Sequence, residues 1–451
     1  MNSSENFADL ALSELLREEG FACSCGKHHK TDVKDIIIGS GVLDQIPEQV
    51  RKHGGSKPFL LADRNTFHAA GEKVVSVLEA SNIPYSCYIY PQEDLEPNEL
   101  AVGQAAMNFD VTCDIIIGIG SGTINDIGKM LAMISGRKYM IVGTAPSMDG
   151  YASNTSSMIS AGIKVSLPSA CASVIIADLD IISRAPMKML QAGLGDMLAK
   201  YISICEWRIS HLITGEYYCE QIASLVRRSL KRCIESAKGL AVRDPEAVKN
   251  VLDGLILSGM AMGFAGISRP ASGIEHYFSH VWDMRALEFN TNNDLHGIQV
   301  GIGTVLALKI YDQITSIKPS REKALWHAEQ FNLEEYNSFL RQFLGSSAEN
   351  LILLEQKEGK YDKDKHKQRL ETILQHWDDI LRIIKEELPG QKEAVDLLNE
   401  VGAPIDPSEL GFSSDLVINT LHAAKDIRDK YSISRLLWDL GELDMASEIL
   451  A

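Results

Sequence analysis

From Asp35 onward, short unbroken apolar runs alternate with stretches whose apolar residues recur at helical spacing. Asp35 to Ile38, Pro58 to Ala62, Ser86 to Ile89, Asp114 to Ile119, Tyr139 to Val142 and Ser173 to Ala177 have the length and composition of buried strands. Between the second and third of them, Ala70, Val74, Val77 and Leu78 share one helical face. Strands separated by crossover helices predict a mostly parallel sheet covered on both sides. Past Pro186 the alternation stops, and helical patterns run to the C-terminus. The pattern thus divides the chain into an N-terminal segment 1–34, an α/β domain 35–185 and a helical region 186–451 with a C-terminal extension. Within the first segment, Phe7, Leu10, Ala11 and Leu15 predict a helical stretch.

The polar positions at the ends of these elements carry the candidate chemistry. The run Asp114 to Ile119 leads through Gly118, Gly120 and Gly122 into an amphipathic pattern that buries Ile124, Ile127 and Leu131. A strand, tight turn and helix start of this kind can hold a pyrophosphate against backbone N–H groups and the helix dipole. A glycine-tight structural turn reads the same way, because Asn125 stands where G-x-G-x-x-G has its third glycine and no Gly-Lys-Ser/Thr follows. Asp63, after the apolar run Phe59 to Ala62, is placed either to accept from ribose hydroxyls or to cap a helix. The loop Gly143 to Ser153 follows another strand and is rich in hydroxyls around Asp149. Further on, Gly193 and Gly195 precede Asp196, a possible N-cap of the helix beyond. Ser272-Gly273-Ile274-Glu275 fits a capping box. It would start a helix with His276 and His280 on one face, and His296 follows at a loop-to-helix junction. One carboxylate with two or three imidazoles can converge on a divalent cation, although any single histidine here also reads as structural.

Composition narrows the setting. The chain of 451 residues is long enough for two or three cores, and its formal net charge of −17 opposes general binding to nucleic acid or anionic membranes. No apolar stretch reads as a membrane span, and Met1 to Gly20 lacks a signal-peptide core, so the expected location is the cytoplasm. Eight cysteines in so long a chain form no disulfide framework. Cys23, Cys25, His28 and His29 are soft metal ligands within seven residues, but no second pair is near in sequence, and a polar loop is the simpler reading. The mixed-charge run Glu355 to His366 reads as a solvated helix face or an exposed connection.

Taken together, five motifs in order resemble the dehydroquinate-synthase-like, metal-dependent dehydrogenases, and within them the sn-glycerol-1-phosphate dehydrogenases in their longer bacterial form. They are Gly118 to Lys129, Ala145 to Ser153, Gly193 to Lys200, Ser268 to His276 and Leu295 to Gly297, and the likeness spans roughly residues 35 to 310. The resemblance implies a Rossmann-like α/β domain followed by an all-α domain. It implies reduction of dihydroxyacetone phosphate to sn-glycerol 1-phosphate by NAD(H) or NADP(H), in glycerophospholipid metabolism, by a homodimer. Asp196, His276 and His296 match the ligands of one divalent cation, nickel or zinc in family members. Gly120, Ser121, Gly122 and Asp126 match the pyrophosphate loop, Asp63 a residue near the adenosine ribose, and Thr144, Ser147 and Ser153 the loop along the nicotinamide and its phosphates. Asp149 matches a residue beside the substrate hydroxyls, and His280 a position close to the site that is not usually a ligand; its imidazole is a candidate for relaying a proton to the substrate oxygen. Lys164 and Arg269, beside the matched motifs, are candidates for the substrate phosphate.

Other readings share this scaffold. A polyol dehydrogenase differs by lacking phosphate-binding groups, and a cyclase of the same fold carries glutamate where Asp196 stands. A catalytically silent scaffold differs by having lost its site, whereas every matched metal and cofactor position is present here.

Overall fold

The central sheet has six parallel strands, which lie side by side in the order 35–39, 174–178, 138–143, 115–120, 58–63 and 86–90. They are β3 (Asp35–Gly39), β4 (Pro58–Asp63), β5 (Ser86–Tyr90), β6 (Ile115–Gly120), β7 (Lys138–Gly143) and β10 (Val174–Asp178), the six apolar runs of the sequence. In this computed structural model the described residues are 6–451, apart from Gly162 and Asn292 and the side chain of Ile163. The part of the signal-peptide reading that falls on residues 1–5, and Asn292 before His296, lie outside them. Strand β6 is buried along its whole length, which is why it reads as an unbroken apolar run. Ile115, Ile117 and Ile119 of β6 share one core with Met140 and Val142 of the adjacent β7, with Val174 and Ile176 of β10 beyond it, and with Val42, Ile46, Val74 and Leu78 from the covering helices.

Two small hairpins escaped the sequence pattern. β1 (Phe21–Ala22) pairs with β2 (His28–His29), and β8 (Thr155–Ser160) pairs with β9 (Ile163–Pro168). In the second, serine, threonine and lysine interrupt the apolar residues, so it lacks the apolar run by which the central strands announce themselves. The predicted N-terminal helix is two short 3-10 segments, Phe7–Asp9 and Leu12–Leu16, with Phe7 and Leu15 buried.

The helices that position functional residues are α1 (Gly122–Ser135), α2 (Met187–Thr214), α3 (Glu220–Ala241), α4 (Pro245–Ala265), α5 (Ile274–Phe289) and α6 (His296–Ile314). Among the described residues, all regular structure after β10 is helical. The chain forms two compact units, Met1–Met197 with Glu220–Ser268, and Leu198–Cys219 with Arg269–Ala451. Helices α3 and α4 therefore belong with the sheet, a grouping that a single cut at residue 185 does not capture, because packing rather than secondary structure decides it. Helix α4 is long and apolar enough to cross a membrane by length and composition, contrary to the sequence expectation, but 72% of its apolar window is buried in the fold. It is apolar on most faces because the protein surrounds it.

In the second unit Ile202, Phe278, Trp282, Ile302 and Leu306 pack with the C-terminal helices through Leu421, Leu437 and Trp438. The mixed-charge run proves only partly solvated. His366 is 1% exposed. Lys360 joins Lys425 and Arg435 around the buried carboxylate of Asp426, whose pKa these cations hold low against the opposing effect of burial. Neutralisation inside the fold hides what composition presents as a surface.

Candidate active site

In the first unit the glycine turn and the loop after β7 meet at the carboxyl ends of adjacent strands. The Thr144 N–H donates to the Gly120 carbonyl at 3.1 Å, and the hydroxyls of Ser121 and Ser147 are 2.5 Å apart. Gly122 opens helix α1, which supplies the free N–H groups of a helix N-terminus. The other glycines answer to packing. A Cβ on Gly118 would stand 2.3 Å from the Tyr139 hydroxyl and one on Gly128 2.5 Å from the same ring, so this pair lets Tyr139 pass between strand and helix. The structural reading of the turn thus accounts for Gly118 and Gly128.

Lys129, to which the sequence reading gave no role, organises the loop. Its side chain is fully buried, and Nζ donates to Gly150 O at 3.3 Å, Ser153 Oγ at 3.1 Å and Thr155 O at 2.5 Å while pairing with Asp126 at 3.2 Å. Asn125 Nδ2 adds a bond to Gly150 O at 3.0 Å. Ser153 is therefore a strut of the loop, and Asp126 is tied to the cation that holds it. Lys164, on β9, contributes to the electrostatic surroundings of Asp126. Asp63 caps a short helical turn, with Oδ1 accepting the Thr66 N–H at 2.8 Å, so the capping reading accounts for that oxygen.

Asp196 lies inside helix α2 rather than at its N-cap, because the helix runs unbroken through Gly193 and Gly195. The physical cause is close approach: a Cβ on Gly193 would stand 1.9 Å from the Pro146 carbonyl oxygen. Asp196 is fully buried, and its Oδ2 accepts the Asp149 N–H at 3.0 Å. The Asp149 carboxylate in turn accepts from Ser258 Oγ at 2.8 Å, a contact made by helix α4 across Gly259, where a Cβ would meet Asp149 O at 2.6 Å. Two carboxylates from distant stretches are thereby held on one hydrogen-bonded frame.

In the second unit α5 and the first residue of α6 gather three imidazoles. Ring centroids are 5.1 Å apart for His276 and His296, 5.8 Å for His280 and His296, and 6.2 Å for His276 and His280. His276 Nδ1 is 2.8 Å from Glu275 Oε1, and His296 Nδ1 is 3.0 Å from Ser279 Oγ. Engaging Nδ1 fixes the ring and designates Nε2 as the ligand atom, the usual support for metal-binding histidine. The donor set therefore suits a divalent cation of borderline softness. Helix α5 starts from Gly273 as N-cap, one residue after the expected Ser272, and Glu275 turns back to accept the Gly273 N–H at 2.7 Å. Asp283, missed in the sequence, lies three residues beyond His280 on α5, and donor atoms of His280, Asp283 and His296 all lie within 4.8 Å of one another. Its signal was the His280-x-x-Asp283 spacing on one helical face.

Arg269 requires a correction. It is 1% exposed, and its guanidinium bonds to both carboxylate oxygens of Glu216, to Ser210 Oγ and to the Tyr431 carbonyl. A side chain so buried and so engaged acts as a structural clamp, with four of its five N–H groups already committed.

Comparison with known proteins agrees with this geometry. The family described as iron-containing alcohol dehydrogenase matches residues 37–186. A glycerol-1-phosphate dehydrogenase (NAD(P)+) of Bacillus licheniformis is 29% identical over 426 residues, covering 94% of this chain and 93% of that protein. The protein of the same name from Bacillus subtilis is 32% identical over 66% of this chain and 78% of its own length. That of Hyperthermus butylicus is 34% identical over 61% of this chain and 77% of its own length. Among solved structures, the glycerol dehydrogenase of Schizosaccharomyces pombe superposes with a TM-score of 0.59 at 16% identity, covering 93% of this chain and 90% of that one. At such identity the likeness speaks for the fold.

Proposed function

This chain belongs to the glycerol-1-phosphate dehydrogenase family, and from that premise we propose that it interconverts dihydroxyacetone phosphate and sn-glycerol 1-phosphate with NAD(H) or NADP(H). The observation that carries the reading is relatedness along nearly the whole chain, 93% of the Bacillus licheniformis protein included, joined to imidazoles whose Nδ1 atoms are already engaged.

The ligands assigned by family resemblance are Asp196, His276 and His296. His280 and Asp283 form, with His296, the alternative set that lies within the second unit. When bound, the cofactor supplies the hydride and the cation supplies the Lewis acidity that stabilises charge on the substrate's C2 oxygen. The chain's own contribution is position and charge. Ser121, Gly122 and Ser147 offer hydroxyl and N–H donors for the cofactor phosphates at the start of α1. Thr144 extends that lining, and Lys129 keeps the loop 150–155 in register with it. Asp63, at the end of β4, is the candidate for the adenosine ribose. The Asp149 carboxylate, which accepts from Ser258, is the candidate acceptor for substrate hydroxyls, and its backbone N–H steadies Asp196. His280 is the candidate proton relay, because its ring stands beside those of His276 and His296 and an imidazole can both give and accept a proton. Lys164 remains the candidate cation for the substrate phosphate. Nickel or zinc is the expected metal, a homodimer the expected assembly and the cytoplasm the expected location.

The experiment is NADH or NADPH oxidation by metal-stripped protein with dihydroxyacetone phosphate, as nickel, zinc, iron or magnesium is restored in turn. Turnover that needs both a transition metal and the phosphorylated ketone, giving the sn-1 product on chiral analysis, is the expected result. Turnover with NAD and unphosphorylated glycerol alone would replace this reading by a polyol dehydrogenase.

A further inference from the structure

The Cys23 to His29 stretch, which catalysis does not use, folds as a knuckle. β1 and β2 pair with Phe21 opposite His29 and Ala22 opposite His28. Inside them the Cys23 N–H donates to Lys27 O at 3.1 Å and the Gly26 N–H to Cys23 O at 3.1 Å, with Gly26 at φ +85° closing the turn. A left-handed residue there is what glycine allows. His28 is exposed, whereas His29 is fully buried. Its Nδ1 lies 2.8 Å from the Phe264 carbonyl of α4, and its Nε2 lies 3.3 Å from Cys25 Sγ. A carbonyl can only accept, so Nδ1 carries the proton and Nε2 turns its lone pair toward the thiol. That is the orientation of a metal-ligating imidazole held by an outer partner.

The partner pair missing near this motif in sequence is supplied in part by Cys219. This buried thiol is peptide-bonded to Glu220, the first residue of α3, and α3 packs against the N-terminal segment Phe7–Asp9. The Sγ atoms of Cys23, Cys25 and Cys219 and a ring nitrogen of His29 all lie within 4.8 Å of one another. Phe7 and Phe264 pack around the His29 ring at 5.4 and 6.2 Å between centroids, limiting water on that side. We propose that Cys23, Cys25, His29 and Cys219 bind a structural zinc ion. Three thiolates and one imidazole form a closed tetrahedral set with no open position for substrate, and this set distinguishes the site from the carboxylate and imidazole donors of the catalytic centre. The ion fastens the N-terminal knuckle to the start of α3 and, through His29, to the end of α4. Each thiol that binds gives up its proton to solvent, so binding strengthens as pH rises.

The test uses the full-length protein, stripped of metal under reducing conditions and reloaded with cobalt(II) or zinc. Cobalt should give a thiolate-to-metal charge-transfer absorption in the near ultraviolet, which the catalytic donors cannot produce because none is a thiolate. Zinc should protect three thiols from a disulfide reagent. Cys25→Ser and Cys219→Ser should each abolish the band and lose one metal equivalent per chain, while His28→Ala keeps both. Should the cysteine variants fail to fold, the wild-type spectrum and thiol protection still decide. Absence of the band together with thiols equally reactive with and without zinc would overturn the proposal, as would a band that persists in Cys25→Ser.

Discussion

Glu275 Oε1 stands 2.8 Å from Nδ1 of His276 and accepts the Gly273 N–H at 2.7 Å with the same oxygen. One carboxylate thus fixes both the start of helix α5 and the orientation of the first imidazole on it. Glu275→Gln preserves volume but weakens the acceptor, and metal affinity is expected to fall about 10- to 100-fold, as for other outer partners of ligating histidines. Competition with a chromophoric chelator measures it. Unchanged affinity would show that the carboxylate does not orient the ring for metal.

Arg269 is expected to matter for stability before it matters for substrate. Arg269→Ala leaves the Glu216 carboxylate and the Tyr431 carbonyl without their cation, and removing one partner of such a pair costs about 3–5 kcal/mol. The expected result is a lower urea midpoint with KM for dihydroxyacetone phosphate little changed in the folded fraction. A large rise in KM at unchanged stability would return Arg269 to the substrate site.

Lys129→Met removes the cation that holds Gly150, Ser153 and Thr155 and pairs with Asp126. Stability should drop by roughly 3 kcal/mol or more, and KM for the cofactor should rise as the loop loosens. Denaturant unfolding and cofactor titration separate the two effects. A variant with wild-type stability and cofactor affinity would mean that the loop holds itself.

Burial pushes the Glu206 carboxyl from 4.5 up to about 8, with the neighbouring Glu275 charge adding to the rise. Between those values the folded chain holds a proton that the unfolded chain has released. The associated stability is complete below about pH 4 and is lost as pH rises through about 8. Thermal melts of metal-free protein should therefore give a Tm that falls between pH 5 and pH 8.5, and Glu206→Gln should flatten that slope. A parallel slope in the variant assigns the effect to other groups.

Much of the architecture was legible because burial on both faces leaves a plain record. β4, β6, β7 and β10 are continuous apolar runs, and their boundaries fall within a residue or so of the predicted ones. The β8–β9 hairpin left no such record, since serine, threonine and lysine interrupt its apolar residues. Gly193 illustrates the opposite failure. A glycine before a helical pattern reads as a helix start, yet it lies within α2 because the Pro146 carbonyl needs the space.

The candidate site was legible wherever function rests on local order. The glycine turn into α1, His276 and His280 on one helical face and His296 at a helix start follow from periodicity and turn chemistry, which act over a few residues. The sequence by itself therefore determined the parallel sheet, the helical region and the family resemblance that points to the reaction. Partnership between distant charges and thiols was left to the tertiary structure. It decided that Arg269 is spent on Glu216, that Lys129 anchors the loop rather than facing solvent, and that Cys219 completes a donor set begun nearly two hundred residues earlier. The physical reason is that burying a charge or a thiol among neighbours depends on what the fold brings within a few ångströms, and chain separation carries no trace of that distance.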